Sequence, residues 1–125
     1  MPITVSIDFT TNPPTATFDP EIHVVDDKNC QIFRWVRATG QTFTFVSVQL
    51  INNGTVEPLP NPPFSRIFLF DGDATMVIAD FNPTDGSETS YPYQITVAYE
   101  GTNYSFPPAP TPGGRGGGDP AIHNK

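Results

Sequence analysis

The sequence predicts an all-β domain, an antiparallel β-sandwich with about seven to nine strands. Three observations support this fold class. Apolar residues alternate with polar ones in short runs, fifteen prolines and ten glycines punctuate the chain, and ten phenylalanines and four tyrosines supply side chains that strands favour. No segment keeps apolar residues at helical spacing for long enough to predict a helix.

The first third of the chain contains four predicted strands. In Ile3–Phe9 every odd residue is apolar, which predicts a half-buried strand that ends before Pro13. Shorter runs follow at Thr15–Phe18 and Ile22–Val25. Gln31–Ala38 is apolar on both faces, as is typical of a central strand.

The run Thr42–Ile51 changes phase along its length. Phe45 falls on one face of an extended chain, whereas Val48 and Leu50 fall on the other. One extra residue in the strand would bring both sets to the same core, which predicts a β-bulge or a bend at Phe45–Ser47. Burial on both faces is the alternative.

Two connections are rich in turn-forming residues. Residues 52–63 contain four prolines, which exclude a central strand and a helix interior. Arg66–Phe70 and Ala74–Phe81 are apolar runs joined by Asp71-Gly72-Asp73. Because Asp-Gly between apolar runs is a strong turn signal, these runs predict a β-hairpin.

The last predicted hairpin joins Tyr91–Tyr99 to the run Tyr104–Phe106. Every odd residue of the first strand is apolar. A two-residue turn at Gly101-Thr102, with glycine at the first turn position, puts the apolar residues of both strands on one face. The register predicted by this turn pairs Tyr99 with Tyr104 and Val97 with Phe106.

Two residues favour an immunoglobulin-like form of the sandwich. Trp35 lies in a central apolar strand, and Tyr93 begins a long late strand after Asp85-Gly86, which resembles a tyrosine corner. Ile95 stands where such domains usually carry their second cysteine. A jelly-roll-like sandwich is therefore the alternative.

We expect residues 1–109 to form the sandwich and residues 110–125 to form a proline- and glycine-rich C-terminal segment. The segment reads P-T-P-G-G-R-G-G-G-D-P-A-I-H-N-K. It lacks the lysine of a P-loop and the spacing of a dinucleotide fingerprint. We expect Ala121 and Ile122 to anchor it on its own sheet or on a neighbouring chain, with Arg115 near a carboxylate.

The charge of the chain limits its partners. Thirteen acidic and six basic residues give a net charge of −7, which disfavours nucleic acid and an anionic membrane surface as partners. The first residues, M-P-I-T-V-S-I-D-F, lack a basic region followed by an apolar run. We therefore expect a cytoplasmic protein.

The residues that carry chemistry are few and dispersed. His23 and His123 are the only histidines and Cys30 is the only cysteine, which is too few nitrogen and sulfur ligands for a typical zinc site. No G-x-S-x-G motif is present. We expect no catalytic residue, no cofactor and no bound metal, with Cys30 acting as a small apolar residue.

Two groups of side chains keep a ligand-binding alternative open. Carboxylates in predicted loops are candidate calcium ligands, because calcium takes oxygen ligands: Asp26, Asp27, Glu57, Asp71, Asp73 and Asp85. Aromatic residues are candidates for stacking on sugars, although their apolar parity favours a core position: Trp35, Tyr91, Tyr93, Tyr99 and Tyr104.

Three short motifs are spread along the chain: F-D-P-E at Phe18–Glu21, V-E-P at Val56–Pro58 and the closing G-G-D-P-A-I-H-N-K. With these motifs the whole chain resembles the small bacterial proteins grouped as the DP-EP family. The resemblance implies a bacterial source and a β-sandwich. It carries over no catalytic or ligand-binding residue.

The function we expect is that of a non-enzymatic sandwich that acts through protein–protein contact or self-association. The alternative is a carbohydrate- or calcium-binding module that uses loop carboxylates and exposed aromatics. An enzyme would need a deep pocket that joins His23 or His123 to a carboxylate or to Cys30.

Overall fold

The computed structural model describes residues 2–25, 31–52, 54–81, 89–107 and 120–124. These residues form eleven strands and no helix, so they include no helix of the length and apolarity needed to cross a membrane. In chain order the strands are β1 (Ile3–Asp8), β2 (Thr15–Asp19), β3 (Ile22–Val25), β4 (Gln31–Arg37), β5 (Thr44–Asn52), β6 (Thr55–Pro58), β7 (Phe68–Phe70), β8 (Thr75–Asp80), β9 (Thr89–Tyr99), β10 (Thr102–Phe106) and β11 (Ala121–Asn124).

The strands form two sheets that pack face to face. The first sheet has the order β2-β1-β4-β8-β7, and the second has the order β3-β11-β9-β5-β6, with β10 also paired to β9. This arrangement confirms the predicted all-β sandwich. The sheets are mixed rather than purely antiparallel, because β1 runs parallel to β4 and β3 runs parallel to β11. The strands are also more numerous than predicted.

The C-terminal strand β11 lies inside the second sheet, between β3 and β9. Its first two residues, Ala121 and Ile122, are buried. The N–H of Ala121 donates to the carbonyl of Glu21, and the carbonyl of Pro120 accepts from the N–H of Tyr93. The last residues of the chain thus contribute to the core, while the boundary predicted at residue 110 falls outside the described residues.

The structure confirms the bulge predicted in β5. The register between β5 and β9 shifts between Phe45 and Ser47. Because of this extra residue, Phe45 before the shift and Val48 and Leu50 after it all point into the core, while Val46 is 39% exposed. One added residue therefore lets both apolar sets of the strand reach the same side.

The structure also confirms the hairpin of β7 and β8, in which Phe70 pairs with Thr75. Three consecutive residues of the connecting turn have positive φ, with values of 56° at Asp71, 63° at Gly72 and 66° at Asp73. Aspartate and glycine adopt this left-handed conformation more readily than other residues. The turn chemistry read from the sequence is thus the chemistry that the backbone requires.

The register predicted for the last hairpin was wrong by two residues, because the turn occupies Glu100-Gly101 rather than Gly101-Thr102. Tyr99 pairs with Thr102, so each later pair is displaced as well. Glu100 and Gly101 have φ values of 51° and 80°, as a tight turn with two left-handed residues requires. A displacement of two residues preserves parity, so the apolar residues of both strands still share one face.

The proline-rich connection contains one short strand. The described part of residues 52–63 has no central strand, because β6 pairs with β5 alone and lies at an edge of the second sheet. A turn then follows in which the backbones of Asn61 and Phe64 exchange two hydrogen bonds. Phe64 forms a bridge to Asp80, so this turn carries the chain from the second sheet to the first.

The core lies between the two sheets and contains large inward-facing side chains. Phe33 and Trp35 of β4 and Tyr93 of β9 are fully buried. The indole Nε1 of Trp35 donates a hydrogen bond of 3.0 Å to the hydroxyl of Tyr93, which joins the first sheet to the second. Burial raises the pKa of Tyr93 well above its usual range. Trp35 and Tyr93 therefore occupy the core positions that their parity favours.

Candidate functional site

The two histidines lie on opposite faces of the second sheet. His23 on β3 points into the sandwich and keeps 8% of its surface exposed, whereas His123 on β11 is half-buried. Parallel pairing aligns His23 with Ile122, so His123 falls at the opposite parity. The fold therefore does not bring the two imidazoles together.

Four polar side chains close one end of the core, next to Phe33. These residues, which we call the polar layer, are His23, Gln31, Asp80 and Asn124. Asn124 Nδ2 donates to Asp80 Oδ1 over 3.0 Å, and Gln31 Nε2 lies 3.5 Å from His23 Nε2. The ring of His23 packs edge-on against Phe33 with the centroids 4.7 Å apart. Burial lowers the pKa of His23, so the imidazole is neutral at neutral pH.

Parity is the sequence signal that would have found the polar layer. Gln31 shares the inward face of β4 with Phe33, and Asp80 shares the inward face of β8 with Ile78. A polar residue at an inward position needs partners, because a buried polar group without a hydrogen bond is costly. The polar layer supplies part of this across the two sheets, through Asn124 with Asp80 and Gln31 with His23, while among the described residues the buried His23 Nδ1 and Asn124 Oδ1 have no hydrogen-bond partner.

The candidate calcium ligands that the structure describes lie apart. Asp71 and Asp73 are exposed in the β7–β8 turn of the first sheet, whereas Glu57 lies on β6 of the second. Within the described ranges, no group of three or more His, Cys, Asp or Glu residues is placed to hold a metal ion.

Several predicted features lie outside the described residues. They are three acidic residues, the single cysteine and the arginine of the glycine-rich segment: Asp26, Asp27, Asp85, Cys30 and Arg115. Their roles remain predictions.

Three tyrosines that were candidates for sugar stacking lie at the margin of the core. Tyr91, Tyr99 and Tyr104 are half-buried and pack against buried residues. The ring of Phe9 covers one face of Tyr99, with the centroids 3.8 Å apart and the planes 8° from parallel. Tyr91 is different, because it lines two adjoining concavities.

The outer face of the first sheet has two chemically different halves. The part formed by β1 and β2, which we call the polar half, carries short polar side chains: Thr4, Ser6, Asp8, Thr15, Thr17 and Asp19. The carboxylate of Asp8 accepts hydrogen bonds from the hydroxyl and the backbone N–H of Thr10. These bonds hold the pKa of Asp8 below its ordinary value of 3.8.

The part formed by β4, β8 and β7, which we call the apolar half, carries mostly apolar outward side chains: Ile32, Val36, Phe68, Phe70, Val77 and Ala79. Ile32 and Phe70 are the most exposed of these, at 55% and 52%. A concavity of ≈ 610 Å³ lies on this half, and Phe70 and Asp71 are among its lining residues. Arg34 is exposed between Ile32 and Val36 on the same face and also lines the concavity, so the apolar side chains surround a cation. Exposed apolar side chains grouped in this way are typical of an interaction surface.

Strand β7 lies at the edge of the first sheet, and among the described strands it pairs with β8 alone. Each residue of Phe68–Phe70 is more than a third exposed. Arg66 precedes the strand and holds its guanidinium carbon 4.3 Å from the ring centre of Phe68. Asp71 and Asp73 follow the strand and are exposed. The edge thus has an apolar centre with opposite charges at its two ends.

Comparison with protein-family models, with curated proteins and with solved structures finds no match to this chain. The resemblance to the DP-EP family therefore stays a prediction, and the fold and the surfaces described above carry the functional argument.

Proposed function

We propose that this protein is a non-enzymatic β-sandwich that acts through protein–protein contact, and that its partner at β7 is a second copy of the chain. The observation that carries this proposal is the edge of β7 beside the apolar half, which no other described strand pairs with. The edge of a sheet presents backbone N–H and C=O groups that can pair with another strand, unless charges or prolines block it. The apolar residues of β7 leave it open to such pairing.

Antiparallel pairing of two β7 strands follows from the symmetry of a homodimer. A two-fold axis through Leu69 places Phe68 of each copy opposite Phe70 of the other. Because Phe68 and Phe70 are 38% and 52% exposed, this contact removes aromatic surface from water in both copies. Aromatic pairs directly across two strands also stabilise a sheet.

The charges at the ends of β7 complement each other in this pairing. The same axis places Arg66 of one copy opposite Gly72 of the other, between Asp71 and Asp73. All of these residues are exposed, and Asp71 also lines the concavity on the apolar half. Two ion pairs therefore form by symmetry, and they select the antiparallel orientation. The net charge of −7 opposes association over longer distances, so we expect micromolar affinity.

Two edge strands of the second sheet, β3 and β6, carry features that oppose such pairing. Strand β3 exposes Ile22 and Val24, but in the sequence Glu21 precedes it and Asp26 follows it. Two antiparallel copies of β3 would bring those like charges together, which destabilises a sheet. Strand β6 ends at Pro58, and proline blocks pairing at a sheet edge.

Sedimentation velocity and amide hydrogen exchange test this proposal. We expect the sedimentation coefficient to rise with concentration from the micromolar range upward, as for a monomer in equilibrium with a dimer. The amides of Phe68–Phe70 should gain protection over the same range. A protein that stays monomeric close to millimolar concentration, with unchanged exchange in β7, would contradict the proposal.

We also propose that the sandwich is of the immunoglobulin-like type. The buried position of Trp35 on β4, in contact with the opposite sheet, supports this assignment. The hydroxyl of Tyr93 accepts from the indole of Trp35. In a tyrosine corner the hydroxyl instead bonds to the backbone upstream, so Tyr93 departs from that motif.

A further inference from the structure

Two adjoining concavities, which together we call the groove, lie at the end of the sandwich near the polar layer. They share Tyr91 and Pro62. The first concavity, of ≈ 420 Å³, is apolar and includes Phe64 and Phe81 in its wall. The second, of ≈ 250 Å³, is the more polar of the two and includes Glu57. Together they fall within the range of about 300–1,000 Å³ that is typical of small-ligand sites.

The carboxylate of Glu57 is held in place within the polar compartment. Asn52 Nδ2 donates to its Oε2 over 3.3 Å, and Asn61 Nδ2 donates to its Oε1 over 3.1 Å. Each carboxylate oxygen can accept a further hydrogen bond, and each amide retains one N–H and its carbonyl oxygen. Thr89 and Ser90, at the start of β9, also line this concavity, and Thr89 shares the inward parity of Tyr91 on that strand.

The apolar compartment presents aromatic rings beside this carboxylate. Phe81, at the end of β8, is 55% exposed. The ring of Phe64, which is 3% exposed, packs edge-on against Tyr91 with the centroids 5.0 Å apart. This contact fixes the orientation of Tyr91 between the two compartments. The groove thus has apolar ring surface on one side and a set of hydrogen-bonding groups on the other.

Rigid elements on both sides support the groove. Phe64 forms a bridge with Asp80, and Thr89 pairs with Asn124 in the register of β9 and β11. Asp80 and Asn124 are joined by a hydrogen bond within the polar layer. The two walls of the groove are therefore linked through buried side chains, which is what a site that holds a ligand in one orientation needs.

We propose that this groove binds a neutral saccharide. A sugar ring has an apolar C–H face that packs on aromatic rings and a rim of hydroxyls that pair with carboxylates and amides. Glu57 can accept from two adjacent hydroxyls, and hydrogen bonds to a charged acceptor are stronger than neutral ones. The acidic net charge of the chain disfavours anionic sugars.

The polar groups also distinguish a saccharide from a proline-rich peptide as the occupant. Prolines and aromatics in the apolar compartment would suit such a peptide, and Glu57 would suit a basic residue at its end. However, the Glu57 carboxylate and the Asn52 and Asn61 amides that bond to it lie together at a concavity of only ≈ 250 Å³, which Thr89 and Ser90 also line. That density of donors and acceptors matches a ring with several hydroxyls.

Saturation-transfer NMR and isothermal titration calorimetry on the full chain test the proposal, with cellobiose, maltose, lactose and chitobiose as probes. We expect at least one probe to bind, and Glu57→Gln to weaken that binding by about tenfold through loss of the charged acceptor. Phe81→Ala should weaken it by a similar factor. Val56→Ala is the matched control, because exposed Val56 precedes Glu57 on β6 and does not line the groove, and it should leave binding unchanged.

Three outcomes would overturn the proposal. One is the absence of binding by all four probes at concentrations up to tens of millimolar. Another is binding that Glu57→Gln and Phe81→Ala leave unchanged, while thermal unfolding shows both variants folded. The third is binding of a proline-rich peptide with a terminal arginine that depends on Glu57, with no saccharide bound. Self-association at β7 is measured separately and does not depend on these results.

Discussion

The polar half and the apolar half of the first sheet share one strand architecture and differ in the side chains that they present to solvent. The strands alternate between inward and outward residues, and the inward set is mostly apolar in both halves, as Val5 and Ile78 illustrate, with Gln31 and Asp80 of the polar layer as exceptions. The outward set differs, with Thr17 and Asp8 on one half and Phe70 and Ile32 on the other. Folding thus constrains the inward set, while the outward set is available for function.

The two edges of this sheet show the same contrast. Strand β2 ends at Asp19, which is followed by Pro20, and both a charge and a proline discourage pairing with another strand. Strand β7 has three exposed apolar residues, and its charges lie beyond its ends rather than on the strand. The edge at β2 is therefore protected against association, whereas the edge at β7 is suited to it.

We expect the largest effect on the free energy of unfolding when an inward apolar residue, rather than an outward one, is replaced. Phe33 and Ile32 are neighbours on β4, but Phe33 is fully buried and Ile32 is 55% exposed. We expect Phe33→Ala to lower the free energy of unfolding by about 3–5 kcal/mol, because it leaves a cavity in the core. Ile32→Ala should change it by less than about 0.5 kcal/mol. Urea unfolding followed by circular dichroism measures both.

If Phe33→Ala fails to fold, Phe33→Leu retains most of the apolar volume and should cost about 1–2 kcal/mol. An equal loss of stability in the Ile32→Ala and Phe33→Leu variants would show that the outer face contributes to folding as much as the core. That result would remove the distinction between the two residue sets.

The next largest effect that we expect is on self-association, and it distinguishes the two edges of the first sheet. Phe70→Lys places a charge at the apolar centre of β7, and we expect it to weaken self-association by about thirtyfold or more, as loss of a central interface residue does. Thr17→Lys on β2 is the matched control, because it adds the same charge at an exposed position of the opposite edge. Sedimentation equilibrium at several concentrations measures both. Because either lysine reduces the net negative charge that opposes association, equal weakening by the two variants would show that β7 is not the specific contact.

The smallest effect that we expect is on the pKa of Asp8, in the polar half. Thr10→Ala removes the hydroxyl that donates to Asp8, so the pKa of Asp8 should rise towards its ordinary value of 3.8. Because the folded-state pKa is lowered, the contribution of Asp8 to stability is present above the unfolded pKa. That contribution to stability is lost as the pH falls through the folded-state pKa. The Thr10→Ala variant should lose less stability over this pH range, because the folded-state pKa of Asp8 then lies closer to the unfolded-state value.

An NMR titration of the Asp8 carboxyl carbon measures this pKa directly. Thr11→Ala is the control, because the hydroxyl of Thr11 donates to the backbone carbonyls of Asp8 and Pro13 and not to the carboxylate. A pKa that rises equally in both variants would show that the turn, rather than the Thr10 hydroxyl, sets the acidity of Asp8.

Alternation along the chain was sufficient to predict most strands, because the longer strands bury one face in the core. The phase change in Thr42–Ile51 also located the bulge, since a buried face has to stay continuous. The turn of the last hairpin was misplaced by one residue because Glu100 adopts a left-handed conformation that its residue type does not indicate. Local patterns therefore predict elements better than they predict the register between them.

The pairings and surfaces that depend on distant segments could not be read from local patterns. The parallel pairing of β3 with β11 joins residues about a hundred positions apart, and nothing in either strand specifies the other. The groove likewise combines Glu57 from β6 with Phe81 from the end of β8. The sequence identified Glu57 and Tyr91 as candidates, but only the fold shows that they line one groove.

The central claim, pairing of β7 with a second copy, is tested most directly by a charge exchange between two variants. Arg66→Asp brings a carboxylate of one copy next to Asp71 and Asp73 of the other at both ends of the proposed pair. Asp71→Arg brings a guanidinium of one copy next to Arg66 of the other at the same places. By sedimentation velocity we predict that each variant alone associates more weakly than the native chain and that an equimolar mixture recovers association. Asp71→Asn is the reserve variant, because asparagine tolerates the positive φ at this position. A mixture no more associated than its two components would contradict the account.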